Sequence, residues 1–260
     1  MQPLSSSATL LPLAFNPSMS RFEYQRSTAA RIGLRSMPTQ NWQAGYTVVH
    51  KSFGKQSMNH VLLDGKKVMP SKIVCIGRNY VAHIEELGNE VPEQMVVFGK
   101  PNSAIGDTLY AELGGEPIHY EGEIALLIKD GLPAAAGFGL DLTKRNLQSR
   151  LKDQGLPWER AKGFDGAALF SPFKSIDSTQ DLSLQLTVND KLRQSGGVEL
   201  MMYSPQLILS QLQEFTTLED GDILMTGTPA GVGKVQAGER FDGLVMQRGK
   251  VITSHYWLAN

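Results

Sequence analysis

The sequence has little of three things: cysteine, excess charge and long apolar runs. Its single cysteine, Cys75, excludes an intrachain disulfide, and its apolar neighbours favour a small buried side chain over a nucleophile. The 25 basic and 26 acidic residues leave a net charge of -1, so no overall basic field exists to hold nucleic acid or an anionic membrane. No apolar run approaches the roughly 18 residues of a membrane span. We therefore expect a soluble protein with no nucleic-acid or membrane partner.

Residues 1–57 also lack clear periodicity, and residues 1–40 are poor in acids. This first stretch carries four arginines but a single acid, Glu23, and it is rich in serine. Such a composition is typical of an organelle transit peptide. The alternative is an upstream extension ahead of Met58, where strand-like patterning begins, and we favour it. Residues 1–57 are thus expected to be a poorly ordered extension, and residues 58–260 the catalytic domain. The expected compartment is cytoplasmic, or mitochondrial if the extension is a true transit segment.

From residue 58 onward, short β-segments alternate with Gly, Pro, Asn and Asp. Turn pairs such as Asp64-Gly65, Asp130-Gly131 and Asn189-Asp190 separate them. The predicted strands cover residues 61–63, 72–76, 95–98, 123–128, 182–188, 222–225, 240–245 and 251–257. Helices are predicted over residues 142–154 and 204–215, the second with Ser204 as N-cap and Pro205 at the first position. Many strands and few helices predict one β-rich α+β domain.

An acidic pattern precedes the most apolar of these strands. Alternate residues of a strand share a face, so His119, Glu121 and Glu123 are expected to project together, with the two carboxylates about 7 Å apart. Oxygen ligands suit Mg²⁺, Mn²⁺ or Ca²⁺ better than Zn²⁺. The alternative is the solvated face of a half-buried strand. Asp141 is either a third carboxylate for the same metal or a helix N-cap, and the pattern leaves both open.

A second pattern follows the strand over residues 72–76. After Gly77-Arg78-Asn79-Tyr80, His83 and Glu86 are three residues apart and so lie on one side of a helical turn. A histidine oriented by a carboxylate is a general-base design, and a surface helix with a chance pair is the alternative. The acidic surroundings are also compatible with a mobile lid.

A Gly-rich loop follows the strand over residues 222–225. It lacks the spacing of a phosphate-binding loop, because position 228 is Thr and position 235 is Val. Its backbone N–H groups and hydroxyls suit a small carboxylate, with a plain tight turn as the alternative.

Taken together, these segments resemble the fumarylacetoacetate hydrolase superfamily from about Lys72 to the C-terminus. The compact length resembles its single-domain branch of acylpyruvases and oxaloacetate decarboxylases. The segments that carry the resemblance are Gly77-Arg78-Asn79-Tyr80 with His83 and Glu86, Phe98-Gly99-Lys100-Pro101, His119-x-Glu121-x-Glu123, Asp141-Leu142-Thr143 with Arg145 and Gln148, Pro157-Trp158 with Lys162 and Phe164-Asp165, Asn189 with Leu192-Arg193-Gln194, and Thr226-Gly227-Thr228-Pro229.

The resemblance implies a mixed β-sandwich roll of the fumarylacetoacetate hydrolase C-terminal type, usually a homodimer. It implies Mg²⁺ or Mn²⁺ on Glu121, Glu123 and Asp141, with Lys162 beside the metal. His83 and Glu86 resemble the water-activating pair of the hydrolytic members. The positions it implies for substrate binding are Arg78, Lys100, Gln148, Gly227 and Thr228.

The activity implied is cleavage of a carbon–carbon bond in an acylpyruvate-type 2,4-dioxo acid, with oxaloacetate decarboxylation as a further possibility. The alternatives are a decarboxylase or isomerase of hydroxymuconate-type diacids, a metal-binding protein without turnover, and a regulatory dimer that senses 2-oxo acids. Two departures from the family pattern weaken the assignment of a particular substrate, although neither removes a proposed metal ligand. The segment Lys144-Arg145-Asn146 stands where Ala-Arg-Asp is common, and Gly163 stands where Ser is common.

Overall fold

The structure is a computed structural model that describes residues 58–86, 88 and 92–260. The expected N-terminal extension, residues 1–57, lies outside the described residues. The described residues belong to one compact unit, Lys55–Asn260.

Strands dominate the described part of the chain, as the sequence predicts. The strands are β1 (Val61–Leu63), β2 (Lys66–Val68), β3 (Lys72–Gly77), β4 (Val96–Pro101), β5 (Ile105–Gly106), β6 (Glu112–Leu113), β7 (Glu116–Pro117), β8 (His119–Tyr120), β9 (Gly122–Lys129), β10 (Leu132–Asp141), β11 (Ala168–Phe170), β12 (Lys174–Ser175), β13 (Leu182–Val188), β14 (Lys191–Gly197), β15 (Ile223–Met225), β16 (Gly233–Lys234), β17 (Arg240–Gln247) and β18 (Lys250–Leu258). The helices are α1 (Val81–Glu86), α2 (Arg145–Asp153), α3 (Glu159–Lys162) and α4 (Pro205–Leu212), with 3₁₀ turns at Asn102–Ala104 and Val198–Leu200.

Two main sheets face each other. The larger is mixed and eight-stranded, in the order β4-β3-β15-β9-β10-β11-β5, with β12 also paired to β10. The smaller is antiparallel, in the order β14-β13-β17-β18. Strands β9 and β10 of the large sheet contact β13 and β17 of the small one. This arrangement confirms the predicted β-rich α+β class and its sandwich character.

The central strand β9 is buried on both faces, which explains its continuous apolar run. Ile124 and Leu126 pack toward the small sheet, in a cluster with Leu184 and Phe241. Ala125 and Leu127 face the other way, in a second cluster that includes Cys75, whose side chain is fully buried as predicted. A strand with two buried faces carries few polar residues in its interior. Acids at its end are therefore held inside the protein by the packing on both sides.

The turn predictions are confirmed by backbone conformation. Asp64-Gly65, Asp130-Gly131 and Asn189-Asp190 each have positive φ at both residues and each connect two antiparallel strands. Positive φ at both central residues defines the two-residue hairpin turn that matches the right-handed twist of strands. The Arg248-Gly249 turn between β17 and β18 follows the same rule.

The helix predictions need one correction. Helix α4 begins as predicted, with the Ser204 hydroxyl accepting from the Leu207 N–H. Helix α2 begins only at Arg145, because strand β10 extends as far as Asp141. The helix-cap alternative for Asp141 is therefore wrong: the N-cap position of α2 belongs to Lys144, and Asp141 is the last residue of β10.

Candidate active site

Three buried carboxylates meet at one end of the β9–β10 pair. Glu123 lies on β9 opposite Gly139 of β10, and the Asp141 N–H donates to the Glu121 carbonyl at 2.9 Å. Antiparallel pairing thus brings the first residues of one strand beside the last residue of the other. One carboxylate oxygen from each of Glu121, Glu123 and Asp141 lies within 4.8 Å of the others.

Lys162 binds two of these carboxylates from the end of α3. Its buried ammonium donates to Glu121 Oε2 at 2.8 Å, to Asp141 Oδ2 at 2.7 Å and to the Thr143 hydroxyl at 2.7 Å. Burial opposes the ionisation of Glu121, but the charges of Lys162 and Arg145 outweigh it and lower the pKa of that carboxyl. Burial opposes the charge of Lys162 too, yet the paired Asp141 and Glu121 carboxylates raise its pKa. This lysine is therefore a fixed positive charge.

Glu123 differs from the other two carboxylates, since it accepts a hydrogen bond from a backbone group. It accepts the Gly227 N–H at 2.8 Å. Burial and the neighbouring Asp141 and Glu121 carboxylates raise its pKa well above the usual range. A third carboxylate buried beside two others is unfavourable unless a cation joins the group. Asp141 Oδ1 forms a buried ion pair with Lys100 Nζ at 2.8 Å. The donor set therefore fits a hard divalent cation.

Lys100 lies behind the carboxylates. Its side chain is fully buried, and its ammonium donates to the Ala167 carbonyl at 3.0 Å and to the Lys162 carbonyl. These bonds hold the backbone that carries Lys162, while the charge faces Asp141. Lys100 thus contacts the cluster from the protein interior.

A buried amide joins the cluster to the small sheet. Gln194 of β14 accepts the Gly122 N–H at 2.8 Å, between the two glutamates, and donates to the Thr228 hydroxyl and the Pro229 carbonyl at 2.8 Å each. The Thr228 hydroxyl in turn donates to the Gly122 carbonyl at 2.8 Å. The loop that follows β15 and the ligand-bearing strand are therefore fixed to each other through one side chain.

His83 and Glu86 form the predicted pair on α1. His83 Nδ1 lies 3.3 Å from Glu86 Oε2, and Glu86 also accepts the Gly231 N–H. Donation from Nδ1 to the carboxylate leaves the other ring nitrogen, Nε2, as a proton acceptor. Burial lowers the pKa of His83 below its usual 6.5, although Glu121 and Glu86 oppose this. The imidazole is consequently neutral, and able to accept a proton, at neutral pH.

One cavity connects these groups. Its buried end, the deep end, is formed by Glu121, Glu123, Asp141 and Lys162. The more exposed Arg78, Arg145 and Lys152 form its mouth, and the buried Gln148 also lines it. The other lining residues are Ile76, Gly77, His83, Val96, Phe98, Trp158 and Thr228. A cavity with a carboxylate cluster, a neutral histidine and a buried lysine is suited to proton transfer next to a carbonyl group.

Comparisons with known proteins agree with this geometry. The sequence model described as fumarylacetoacetate (FAA) hydrolase C-terminal matches residues 72–255. The chain belongs to the fumarylacetoacetate hydrolase family. An oxaloacetate tautomerase of Escherichia coli (strain K12) is 38% identical over 197 residues, which cover 66% of this chain and 89% of that protein. A mitochondrial oxaloacetate tautomerase of Schizosaccharomyces pombe is 37% identical and covers 71% of this chain and 94% of its own length.

A solved structure of the same family extends the comparison. The fumarylpyruvate hydrolase of Pseudomonas aeruginosa, in complex with Mn²⁺ and pyruvate, superposes with a TM-score of 0.70 at 27% identity, covering 80% of this chain and 99% of that one. These family relatives are enzymes. In the described part of this chain, no helix combines the length and the apolarity that a membrane span needs.

Most of the residues predicted from the family resemblance meet in the cavity. His83, Arg78, Gln148 and Thr228 line it together with Lys162 and the three carboxylates. Lys100 and Gly227 do not line it: Lys100 lies behind Asp141, and the Gly227 N–H is directed at Glu123. Glu86 is held behind His83. His119, expected on the same face as the glutamates, pairs with Lys234 of β16 and does not line the cavity.

Two residues of the site were not singled out from the sequence. Lys152 lines the mouth, and a helical spacing of seven residues from Arg145 and four from Gln148 was the signal for it. Gln194 was recognised only as part of a family segment. Its three buried hydrogen bonds depend on the packing of one sheet on the other, which no local pattern indicates.

Proposed function

We propose that this protein is a divalent-metal-dependent enzyme that interconverts the keto and enol forms of oxaloacetate. The observation that carries the proposal is the single cavity in which a neutral His83 faces a buried lysine and a three-carboxylate cluster. The names of the Escherichia coli and Schizosaccharomyces pombe relatives support oxaloacetate as the substrate.

Glu121, Glu123 and Asp141 would hold the metal, which we propose to be Mg²⁺ or Mn²⁺ because all the ligand atoms are carboxylate oxygens. When bound, a divalent cation supplies Lewis-acid polarisation of a 2-oxo acid. The Mn²⁺ in the fumarylpyruvate hydrolase structure supports this choice.

The chain's own residues account for the proton movement. Enolisation takes a proton from C3 of oxaloacetate and places one on the C2 oxygen. His83 Nε2 accepts the C3 proton, because Glu86 engages Nδ1, and the imidazolium then delivers that proton to the C2 oxygen. Lys162 keeps its positive charge beside the cluster and favours negative charge on the C2 oxygen. A general base of this kind contributes about 100- to 10,000-fold.

A second candidate is hydrolysis of acylpyruvates to pyruvate and a carboxylic acid. The His83–Glu86 pair favours it, because a histidine oriented by a carboxylate also activates water. The pyruvate bound in the fumarylpyruvate hydrolase supports the same reading. Homodimer formation, which the family resemblance implies, and the compartment stay predictions.

The test compares three reactions in one preparation. Purified protein with Mg²⁺ or Mn²⁺ is given enol-oxaloacetate, keto-oxaloacetate and acetylpyruvate, and the loss of the enol, the release of pyruvate and the loss of acetylpyruvate are followed separately. We expect fast, metal-dependent loss of the enol, and in the Glu121→Gln variant only the rate seen with metal and no protein. Acetylpyruvate turnover that exceeds enol turnover would replace the first candidate by the second. Metal-independent turnover, or none of either substrate, would contradict both.

A further inference from the structure

A second cavity, with apolar walls, lies beside the active cavity. It runs between β4, which is an edge strand of the large sheet, and the segment that joins α2 to α3. Its apolar walls are Val96, Val97 and Phe98 of β4 and Leu156, Pro157 and Trp158 of the joining segment. We call this cavity the apolar groove. Large apolar side chains gathered at an open surface favour the binding of an apolar ligand.

The apolar groove adjoins the active cavity. Val96, Phe98, Trp158 and Lys162 line both of them. The Lys162 ammonium lies 5.1 Å from the centre of the Phe98 ring, and the Phe98 and Trp158 rings are in contact, with 5.9 Å between their centroids. These two rings therefore connect the lysine of the deep end with the walls of the groove.

The two cavities differ in size. The active cavity has a volume of about 50 Å³, which is room for only a few water molecules, whereas the apolar groove has about 290 Å³. A molecule longer than a short acid must therefore extend beyond the active cavity. The apolar groove is the space that its far end would enter through the shared walls.

The charges along the apolar groove are unsuited to an anionic tail. Lys162 is its cation, and this ammonium is already paired with Glu121 and Asp141. Glu159 also lines the groove and is an acid, and the other described residues that line it are uncharged. A tail that ends in a carboxylate would lose hydration there without gaining a free cation, whereas an alkyl tail gains by leaving water.

We propose that the apolar groove binds the uncharged alkyl tail of a 2-oxo acid, so that the protein favours acylpyruvates with tails of several carbons over acetylpyruvate. The inference rests on the proposed function in one respect, since it takes the 2-oxo acid group to bind at the deep end. It deepens the second candidate, because it names the acyl group. Hydrolysis of such a molecule breaks the C3–C4 bond: the oxygen of water goes to C4, which becomes the carboxylic acid of the tail, and C3 takes a proton to give pyruvate.

The first experiment measures binding without reaction. Pyruvate, 2-oxohexanoate and 2-oxooctanoate share the 2-oxo acid group and differ in the length of the alkyl tail. By calorimetry with full-length, Mg²⁺-loaded protein, we expect the affinity to rise about 3- to 4-fold for each methylene that enters the groove, and at least about 10-fold from pyruvate to 2-oxooctanoate. The diacid of the same length, 2-oxooctanedioate, should bind at least about 10-fold more weakly than 2-oxooctanoate. Equal affinities for the three monoacids would overturn the proposal, and a second copy of this chain seated in the groove would give that result.

Leu156 allows the groove to be changed from outside the active cavity. It is 46% exposed, and it lines the groove but not the active cavity. In Leu156→Asp we expect the gain in affinity from pyruvate to 2-oxooctanoate to shrink about 3- to 10-fold, because a bound tail would remove water from the new carboxylate. Leu156→Met keeps the wall apolar and should keep the gain. A full gain in Leu156→Asp would overturn the assignment of the groove.

A matched control is available at another exposed leucine. Leu132 is 64% exposed, at the start of β10, and it lines neither cavity. Leu132→Asp therefore makes the same change away from the groove, and we expect the gain with tail length to stay as in wild type. A loss of this gain as large as in Leu156→Asp would mean that the added charge, and not the groove, sets the preference, which would overturn the proposal.

An activity assay keeps the groove separate from the proposed function. We expect wild-type kcat/KM to be about 10-fold or more higher for hexanoylpyruvate than for acetylpyruvate, and Leu156→Asp to lower this ratio as it lowers the gain in binding. If the wild type hydrolyses neither compound but still binds 2-oxooctanoate more tightly than pyruvate, hydrolysis fails and the groove stands. If it hydrolyses both equally and tail length does not change affinity, hydrolysis stands and the groove is overturned.

Discussion

The two ends of the cavity are built from different kinds of structure. The deep end is carried by the paired strands β9 and β10 and by the short helix α3, and its side chains are buried and bonded to one another. The mouth is carried by α2 and by the residue after β3, and Lys152 there is exposed to solvent.

This difference suits the deep end to holding a metal and the mouth to contacting the substrate. Buried charges keep fixed positions because any movement would leave them without partners, and this suits a metal centre. Exposed cations on a helix face are held less strictly, and they can be replaced without disturbing the core. Chemistry is therefore expected to depend on the deep end and substrate choice on the mouth. The following changes test that separation, from the largest expected effect to the smallest.

Glu123→Gln removes one carboxylate of the deep end and keeps its shape. We expect metal-dependent activity to fall at least about 1,000-fold, because Lewis-acid stabilisation is lost. In metal-free protein the same change should be stabilising at high pH. The folded-state pKa of Glu123 is raised above its usual 4.5 by burial and by Asp141 and Glu121. The wild type therefore loses stability as pH rises above that value, whereas the variant does not.

The measurement is the thermal midpoint with a chelator present, from pH 4.5 to 9. The advantage of Glu123→Gln over wild type should grow with pH to about 2 to 4 °C or more. Added Mg²⁺ should raise the midpoint of the wild type only. If the variant is less stable than wild type at every pH, the charge of Glu123 does not destabilise the metal-free protein.

His83→Gln removes the base between the two ends while the carboxylate cluster stays intact. We expect kcat for enol loss, and for acetylpyruvate hydrolysis, to fall about 100- to 10,000-fold. Decarboxylation of oxaloacetate should fall less, because it needs no proton removed at C3. Metal affinity, measured by Mg²⁺ titration, should be nearly unchanged.

The pH profile gives an independent check on His83. Since burial lowers the pKa of this imidazole, the neutral form persists below pH 6.5, and wild-type kcat/KM should decline only at more acidic pH. Glu86→Gln is the companion variant and should cost less activity than His83→Gln. Equal losses in all three reactions for His83→Gln would argue for a structural role of the histidine.

Gln194→Met tests whether the deep end depends on its connection to the small sheet. The change deletes three buried hydrogen bonds around Gly122, Thr228 and Pro229 at nearly constant volume. We expect metal affinity to weaken about 10-fold, the usual effect of losing a partner behind the ligands. Gln185→Met on the neighbouring strand β13 is the control, since Gln185 makes no such contacts in the described residues. If both variants lose the same stability and neither changes the metal affinity, Gln194 does not support the metal site.

The fold was predictable where the local pattern and the final packing agree. The hairpin turns and the alternation of β13 could be read directly, and so could the capped start of α4. Strand β10 was not predicted, because its alanine- and glycine-rich sequence has little β-propensity. Its small residues are required by tertiary contacts: a Cβ on Gly137 would lie 3.1 Å from the Phe173 ring. Such requirements are set by a distant side chain.

The site was predictable mainly through the family segments. Spacing alone left Glu121, Glu123 and Asp141 open to ordinary structural readings, and only the antiparallel register of β9 and β10 brings Asp141 to the glutamates. The burial of Lys100 could not be read from the sequence either, because lysine is usually exposed and its partners here are backbone carbonyls from distant segments.

The face of helix α2 has a consequence for how relatives of this protein diverge. A nine-residue helix carries Arg145, Gln148 and Lys152, whereas two of the three carboxylates lie on strands of eight and ten residues in a fully packed sheet. A substitution at the exposed helical position is therefore expected to leave the reacting groups in place, so this face can vary in sequence while the chemistry is kept.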